Sequence, residues 1–261
     1  MVEAAGADIV DINFGCPVRK VTKTGAGATL LDEPGRASRI VEAVASAVSV
    51  PVSVKMRRGL KDGSRDCLEV GPRLVEAGAS SLTLHPRSAQ QMYTGEADHT
   101  LTGELVERVS VPVVASGDVT SQAKAHAILG STGAAAVMVG RGAQGNPWAL
   151  REILQGDSGE PSQEEVVAEL LLFIRETVRE LGERRASGFL KKFYGWYLGR
   201  GRFPRVFKAE LTQIDDLDEI ERRLLAAAPG AAALVEKLLD AHPTVDEVLL
   251  EGMPISIYGG G

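Results

Sequence analysis

The sequence predicts an α/β fold over residues 1–158 followed by an all-helical region, on three observations. Short apolar runs alternate with helical stretches over residues 7–154, each run ends in a polar residue or a glycine, and β-rich runs stop after the Gly, Pro and Ser segment at 156–162. Alternating strand and helix implies right-handed crossovers and a parallel sheet.

The chain opens on Val2-Glu3-Ala4-Ala5-Gly6-Ala7, which reads as the last turn of a helix. The strand-like runs are Asp8-Ile9-Val10-Asp11-Ile12-Asn13, Pro51-Val52-Ser53-Val54-Lys55, Ser81-Leu82-Thr83-Leu84-His85, Pro112-Val113-Val114-Ala115-Ser116 and Ala135-Ala136-Val137-Met138-Val139-Gly140. Nearly continuous apolar runs are expected of parallel strands covered on both faces. Helical patterns separate them, notably over 35–48, 65–77 and 120–129. The polar residues gather at the carboxyl ends of the runs, at 13–17, 55–57, 85–87, 116–118 and 140–142. In a (β/α)8 TIM barrel that rim carries the active site, and at ~30 residues per unit of a ~250-residue fold, five visible ends leave three to find. The expectation is a TIM barrel lacking about its first three β/α units.

Beyond the 156–162 segment, helical periodicity appears at 163–181, 188–198, 207–213, 217–228 and 231–241. The expected organisation is a partial barrel at 1–158, a helical domain at 159–243 and a weakly patterned, glycine-ended tail at 244–261. With 44% hydrophobic and 25% charged residues and a net charge of -6, the 261-residue chain has the composition of a folded protein and not of a disordered, collagen-like or coiled-coil one. Two cysteines make no disulfide framework, no secretion signal is read, and no window approaches ~18 apolar residues. A cytoplasmic, soluble protein is expected.

Cys16 follows the first run in Asn13-Phe14-Gly15-Cys16-Pro17. A lone cysteine is usually an inert core residue, but here Gly15 and Pro17 stop the strand, Asn13 adds an amide at the same rim, and the loop at 20–27 is glycine- and lysine-bearing. A thiol held there can exchange a proton; Cys67, within a helical run, reads as structural. Strand alternation puts Ser53 and Lys55 on one face and Val54 on the other, so Lys55 can point into the barrel as an anion partner or a base, or stand as a solvated cation. His85 opens His85-Pro86-Arg87-Ser88-Ala89-Gln90-Gln91, where an imidazole, a guanidinium and two amides suit a polar, planar ligand. Ser116-Gly117-Asp118 and Gly140-Arg141-Gly142 follow the last two runs, where this fold commonly binds a phosphate through backbone N–H groups.

A further signal lies between Arg184 and Lys208, which holds eight basic side chains, no acidic one, and seven of the chain's 12 aromatics. Basic groups neutralise phosphates and aromatics stack on unpaired bases, while the same pattern also describes a helix with core aromatics and a solvated basic face.

Five co-linear motifs, Asp11-Ile12-Asn13-Phe14-Gly15-Cys16-Pro17, Val52-Ser53-Val54-Lys55-Met56-Arg57, Leu84-His85-Pro86-Arg87-Ser88, Ser116-Gly117-Asp118-Val119 and Val139-Gly140-Arg141-Gly142-Ala143, resemble the tRNA-dihydrouridine synthases, the bacterial B-type subgroup most closely. Leu190-Lys191-Lys192-Phe193-Tyr194-Gly195-Trp196-Tyr197 also resembles the family's helical tRNA-binding segment, with Phe193 where a histidine is usual. The family's Ala-Pro-Met strand and its flavin-contacting glutamine have no counterpart in this sequence. The resemblance implies FMN in a (β/α)8 barrel, NADPH as reductant, and reduction of the C5–C6 double bond of uridines in tRNA. It makes Cys16 the acid that protonates C5 and the flavin the hydride donor. It also implies that Lys55 and His85 hold the isoalloxazine and ribityl parts, and that Ser116, Gly117, Asp118, Gly140 and Arg141 hold the ribityl chain and phosphate. Asn13 and Arg87 would place the uracil, and Lys191 and Lys192 the tRNA. The alternatives are another FMN barrel, dihydroorotate-dehydrogenase-like, acting on a small pyrimidine-like substrate, and a remnant that binds tRNA without chemistry.

Overall fold

The computed structural model describes residues 1–156 and 159–241. It divides into two compact units, the first ending at Gly140 and the second beginning at Arg141.

In the first unit five strands, β1 (Val10–Phe14), β2 (Val52–Arg57), β3 (Ser81–His85), β4 (Val113–Ser116) and β5 (Ala136–Met138), form one parallel sheet in chain order. Parallel neighbours need a crossover. These are supplied by α1 (Arg19–Thr22) with α2 (Pro34–Ala47), then α3 (Cys67–Glu76), α4 (Thr100–Arg108) and α5 (Gln122–Thr132). The result is four successive β/α units and a fifth strand, arranged as in a TIM barrel. Local chemistry sets the helix ends. Pro34 opens α2, where its missing N–H is not needed. The Ser121 hydroxyl accepts from the Lys124 N–H at the start of α5, and Gly133 closes that helix at φ 66°.

The register assigns the faces. Asp11 pairs with Ser53, Asn13 with Lys55, Lys55 with Thr83, Arg57 with His85, and Ser116 with Met138. Paired residues point the same way, so one face of the sheet is polar and cationic. The opposite face carries Phe14, Val54, Met56, Leu82 and Leu84, all buried in the core with Val41, Val70, Leu74, Leu101 and Leu105. Each such side chain contributes on the order of 1.5–3 kcal/mol by leaving water. The hydrophobic effect therefore fixes which way Lys55 and Arg57 must face.

The second unit is helical: α6 (Ala149–Gln155), α7 (Gln163–Leu181), α8 (Glu183–Arg200), α9 (Arg205–Leu211), α10 (Leu217–Ala227) and α11 (Ala231–Ala241). Ser162 and Glu165 form a reciprocal capping box at the start of α7. The core joins Val167, Leu170, Leu171 and Ile174 of α7 to Leu190, Tyr194 and Leu198 of α8. The unit starts earlier than the boundary expected at 158. Gly145, at φ 62°, lies against the backbone of Trp196 and Tyr197, and Glu152 pairs with Arg200 at 2.6 Å, so residues 141–155 belong with α8. The tail expected at 244–261 lies outside the described residues. No helix among the described residues is long and apolar enough to cross a membrane.

Candidate active site

The rim at the carboxyl ends of β1 to β4 is assembled by side chains that hold main-chain atoms. Asn13 Oδ1 accepts from the N–H groups of Gly15 (2.9 Å) and Cys16 (3.1 Å), turning the chain as it leaves β1. The Cys16 carbonyl accepts from the Ala28 N–H at 3.0 Å. Gly27, at φ 62°, packs so closely that a Cβ there would stand 2.6 Å from that carbonyl oxygen. Cys16 is thus partly buried on a backbone clamped from both sides. Cys67 differs: it is fully buried in α3, and burial pushes its thiol up to about 12. A thiol so shifted is protonated and inert at neutral pH.

Lys55 is half-buried on the polar face, and its ammonium makes no hydrogen bond or ion pair among the described residues. Burial, and then the neighbouring Arg57, hold its ammonium below the usual lysine range, with Asp11 opposing. Arg57, which the sequence marks only as a rim cation, has a larger part. It is 2% exposed, and its guanidinium donates to the carbonyls of Gly15 (3.0 Å), Ser88 (2.8 Å) and Met92 (2.8 Å). It joins the Cys16 turn to the segment after β3 and lies 5.5 Å from the centroid of the exposed Tyr93 ring. Alternation along β2 was the available signal, since Arg57 shares the face of Ser53 and Lys55.

His85 ends β3 at 7% exposure. Burial, then the charges of Arg57, Lys55 and Arg87, push its pKa down to about 3 against the opposing pull of Asp118. Its imidazole is neutral at physiological pH. Gly117, at φ 113°, closes one edge of the ring, since a Cβ there would stand 2.7 Å from His85 Cδ2. The Gly117 carbonyl faces His99 Nε2 at 3.0 Å.

Arg87 departs from expectation. Placed at the rim to meet a planar base, it is instead 2% exposed and engaged inward. It donates to both carboxylate oxygens of Asp118 (2.7 and 2.8 Å) and to the carbonyls of Thr94 and Gly95, and faces His85 Nε2 at 3.2 Å. A buried guanidinium must satisfy its donors within the protein, and the Asp118 carboxylate supplies the counter-charge. Asp118 also accepts from the Ala97 N–H and sits at φ 56°, in the left-handed region.

Asn13, Cys16, Lys55, His85, Ser116, Gly117 and Asp118 therefore lie in the first unit at the strand ends of one sheet face. Gly140 ends that unit, exposed, just past β5. Arg141, exposed in a 3-10 turn, and Lys191 and Lys192 on α8 belong to the second. The two lysines have different surroundings. Lys191 pairs with Asp215 at 2.6 Å, whereas exposed Lys192 lies over the rings of Phe189 (4.3 Å) and Phe193 (5.1 Å). Phe189 and Trp196, 38% and 40% exposed, flank it along the helix.

This arrangement, a thiol on a clamped turn beside a half-buried cation and a neutral imidazole, coincides with a family match. The dihydrouridine synthase (Dus) profile matches residues 1–233. The chain belongs to the dihydrouridine synthase family. It is 38% identical over 220 residues to tRNA-dihydrouridine synthase B of Proteus vulgaris, covering 82% of this chain and 68% of that protein. It is also 38% identical over 226 residues to tRNA-dihydrouridine synthase B of Klebsiella pneumoniae, covering 83% and 70%. With the Pseudomonas putida protein of the same name the identity is 38% over 217 residues, covering 81% and 64%. These three relatives are B-type members of the dihydrouridine synthase family, and each is longer than the part that the chain matches.

Proposed function

We propose that this chain reduces the C5–C6 double bond of uridine in tRNA, using FMN on the polar sheet face and NADPH as the source of reducing equivalents, in the cytoplasm. The observation that carries the reading is Cys16, whose main chain is held by Asn13 and by the Ala28 N–H at the rim of the face that bears Lys55 and His85. The donor set fits a planar, phosphorylated, electron-rich cofactor. Lys55 is a half-buried ammonium without a protein partner among the described residues, and an anionic ring edge would complete it.

Lys55 and His85 would hold the isoalloxazine and ribityl parts, and Ser116, Gly117 and Gly140 the ribityl chain and phosphate. Asp118 would contribute its main chain, because its carboxylate is taken by Arg87 and the Ala97 N–H. When bound and reduced, FMN supplies a hydride to C6 of the uracil. Cys16 delivers a proton to C5, its S–H bond breaking as the C–H bond forms, and the thiolate is reprotonated from solvent. Asn13 keeps that thiol in place through its Oδ1, leaving its amide N–H groups for a uracil carbonyl. Arg87 supports His85 from behind instead of touching the base. On α8, exposed Lys192 with Phe189 and Trp196 suits phosphate neutralisation and base stacking on tRNA.

The test is dihydrouridine formed in unmodified tRNA by protein loaded with FMN. Cys16→Ala is expected to lower it by about 10²- to 10⁴-fold while FMN content stays unchanged. Product formed by that variant at the wild-type rate would refute Cys16 as the proton donor.

A further inference from the structure

His85 is surrounded by groups that leave it one state. Arg87 Nη1 lies 3.2 Å from His85 Nε2. A guanidinium only donates and does not lose its proton, so Nε2 must present a lone pair, and a neutral imidazole then carries its single hydrogen on Nδ1. The alternatives fail on the same geometry. A proton on Nε2 would set two donors against each other, and an imidazolium would add a fourth cation to a site with one facing carboxylate.

The charged and titratable groups facing the ring come from every element packed on it. Lys55 and Arg57 stand on β2, and Arg87 and Tyr93 follow β3, with the Tyr93 ring centroid 6.3 Å from that of His85. Asp118 follows β4, and its carboxylate is bound by Arg87. That carboxylate fixes the plane of the guanidinium, and the Thr94 and Gly95 carbonyls take further donors. Gly117 seals the Cδ2 and Nε2 edge of the ring, while Nδ1 makes no hydrogen bond among the described residues.

We propose that Arg87 is a positioning residue, held by Asp118, that locks His85 as a neutral, Nδ1-protonated imidazole throughout the working pH range. The ring is then a permanent uncharged donor, and whatever meets Nδ1 must bring an acceptor such as a carbonyl or hydroxyl oxygen. The depressed pKa of His85 agrees with this, and the inference stands on the hydrogen-bond geometry whichever ligand the face binds.

The experiment is long-range proton–nitrogen correlation NMR on the full chain labelled with ¹⁵N-histidine, followed from about pH 5 to 8, where an ordinary histidine changes charge. His85 is assigned with His85→Gln. His99 serves as an internal reference of opposite kind, because its Nε2 faces the Gly117 carbonyl, which can only accept. His85 is expected to show a protonated Nδ1 and a bare Nε2 with no titration across that range. Arg87→Met is expected to move the hydrogen largely to Nε2, and Arg87→Lys to retain part of the wild-type pattern. Arg87→Met combined with Asp118→Asn keeps the test available if the single change leaves a buried carboxylate that unfolds the chain. A hydrogen on Nε2 or an imidazolium signal in the wild-type protein within that range would overturn the proposal. So would a wild-type tautomer in the folded Arg87→Met variant or in the double variant.

Discussion

Substituting Gly27 by alanine tests whether the Cys16 turn is held by sterics. Gly27 sits at φ 62°, and its added Cβ would meet Cys16 O at 2.6 Å, Cys16 Cβ at 3.1 Å and Val21 Cγ1 at 3.1 Å. The left-handed backbone costs a non-glycine residue about 1–2 kcal/mol. The contact with a main-chain oxygen cannot be relieved by rotating a side chain, and overpacking of that kind costs about 1–3 kcal/mol more. Gly63 is the control: its φ of 77° is similar, but nothing among the described residues lies within 4 Å of its Cβ position. Gly27→Ala should therefore lose about 2–5 kcal/mol in urea unfolding followed by circular dichroism, and Gly63→Ala only the backbone part, about 1–2 kcal/mol. The rate of Cys16 modification by an aromatic disulfide reagent should change only in Gly27→Ala, because Cys67 is buried and its thiol is pushed up to about 12. Equal destabilisation by the two alanines, with an unchanged modification rate, would refute the steric clamp.

Three further outcomes are expected. The unfolded chain protonates His85 near 6.5 and the folded chain only near 3, so as pH falls between those values the unfolded state binds a proton that the folded state refuses. Stability should drop by at most about 1.4 kcal/mol per pH unit from this group, and His85→Gln should flatten that part of the profile. Lys192→Gln should weaken tRNA binding and reduce the salt slope by about one. Lys191→Ala should chiefly remove the ion pair with Asp215, worth about 0–1 kcal/mol by thermal unfolding. Finally, Tyr194→Phe should leave stability within about 1 kcal/mol of wild type or raise it, since the buried Tyr194 hydroxyl has no hydrogen-bond partner among the described residues.

The strands were legible because burial on a parallel sheet demands apolar runs, and all five fall where those runs lie, with β5 trimmed to Ala136–Met138 from 135–140. Helix α4 is not legible in the sequence, since Thr100–Arg108 is short and carries Gly103 in its interior. The Gly and Pro segment at 156–162 signals a turn, but the unit boundary depends on Gly145 meeting Trp196 and on Glu152 meeting Arg200, contacts remote in sequence. The same limit governs the site. Lys55 and His85 could be placed on the rim from strand alternation alone, whereas the inward turn of Arg87 depends on an aspartate 31 positions away. Arg57 likewise reads as a rim cation until its guanidinium is seen on the carbonyls of Ser88 and Met92. Lys191 and Lys192 are equivalent in composition, and only the helix phase separates the one that meets Asp215 from the one that lies over Phe189.

Arg57 and Arg87 between them grasp the peptide oxygens of Ser88, Met92, Thr94 and Gly95. Anchorage through peptide groups is indifferent to what the chain carries outward, so the exposed positions Met92 and Thr94 can be diversified while the path of the backbone beside His85 is kept, whereas the Tyr93 ring lies against Arg57 and His85 and stays fixed. A library confined to those two positions would vary what the rim offers an incoming ligand and leave the parts beneath it in place.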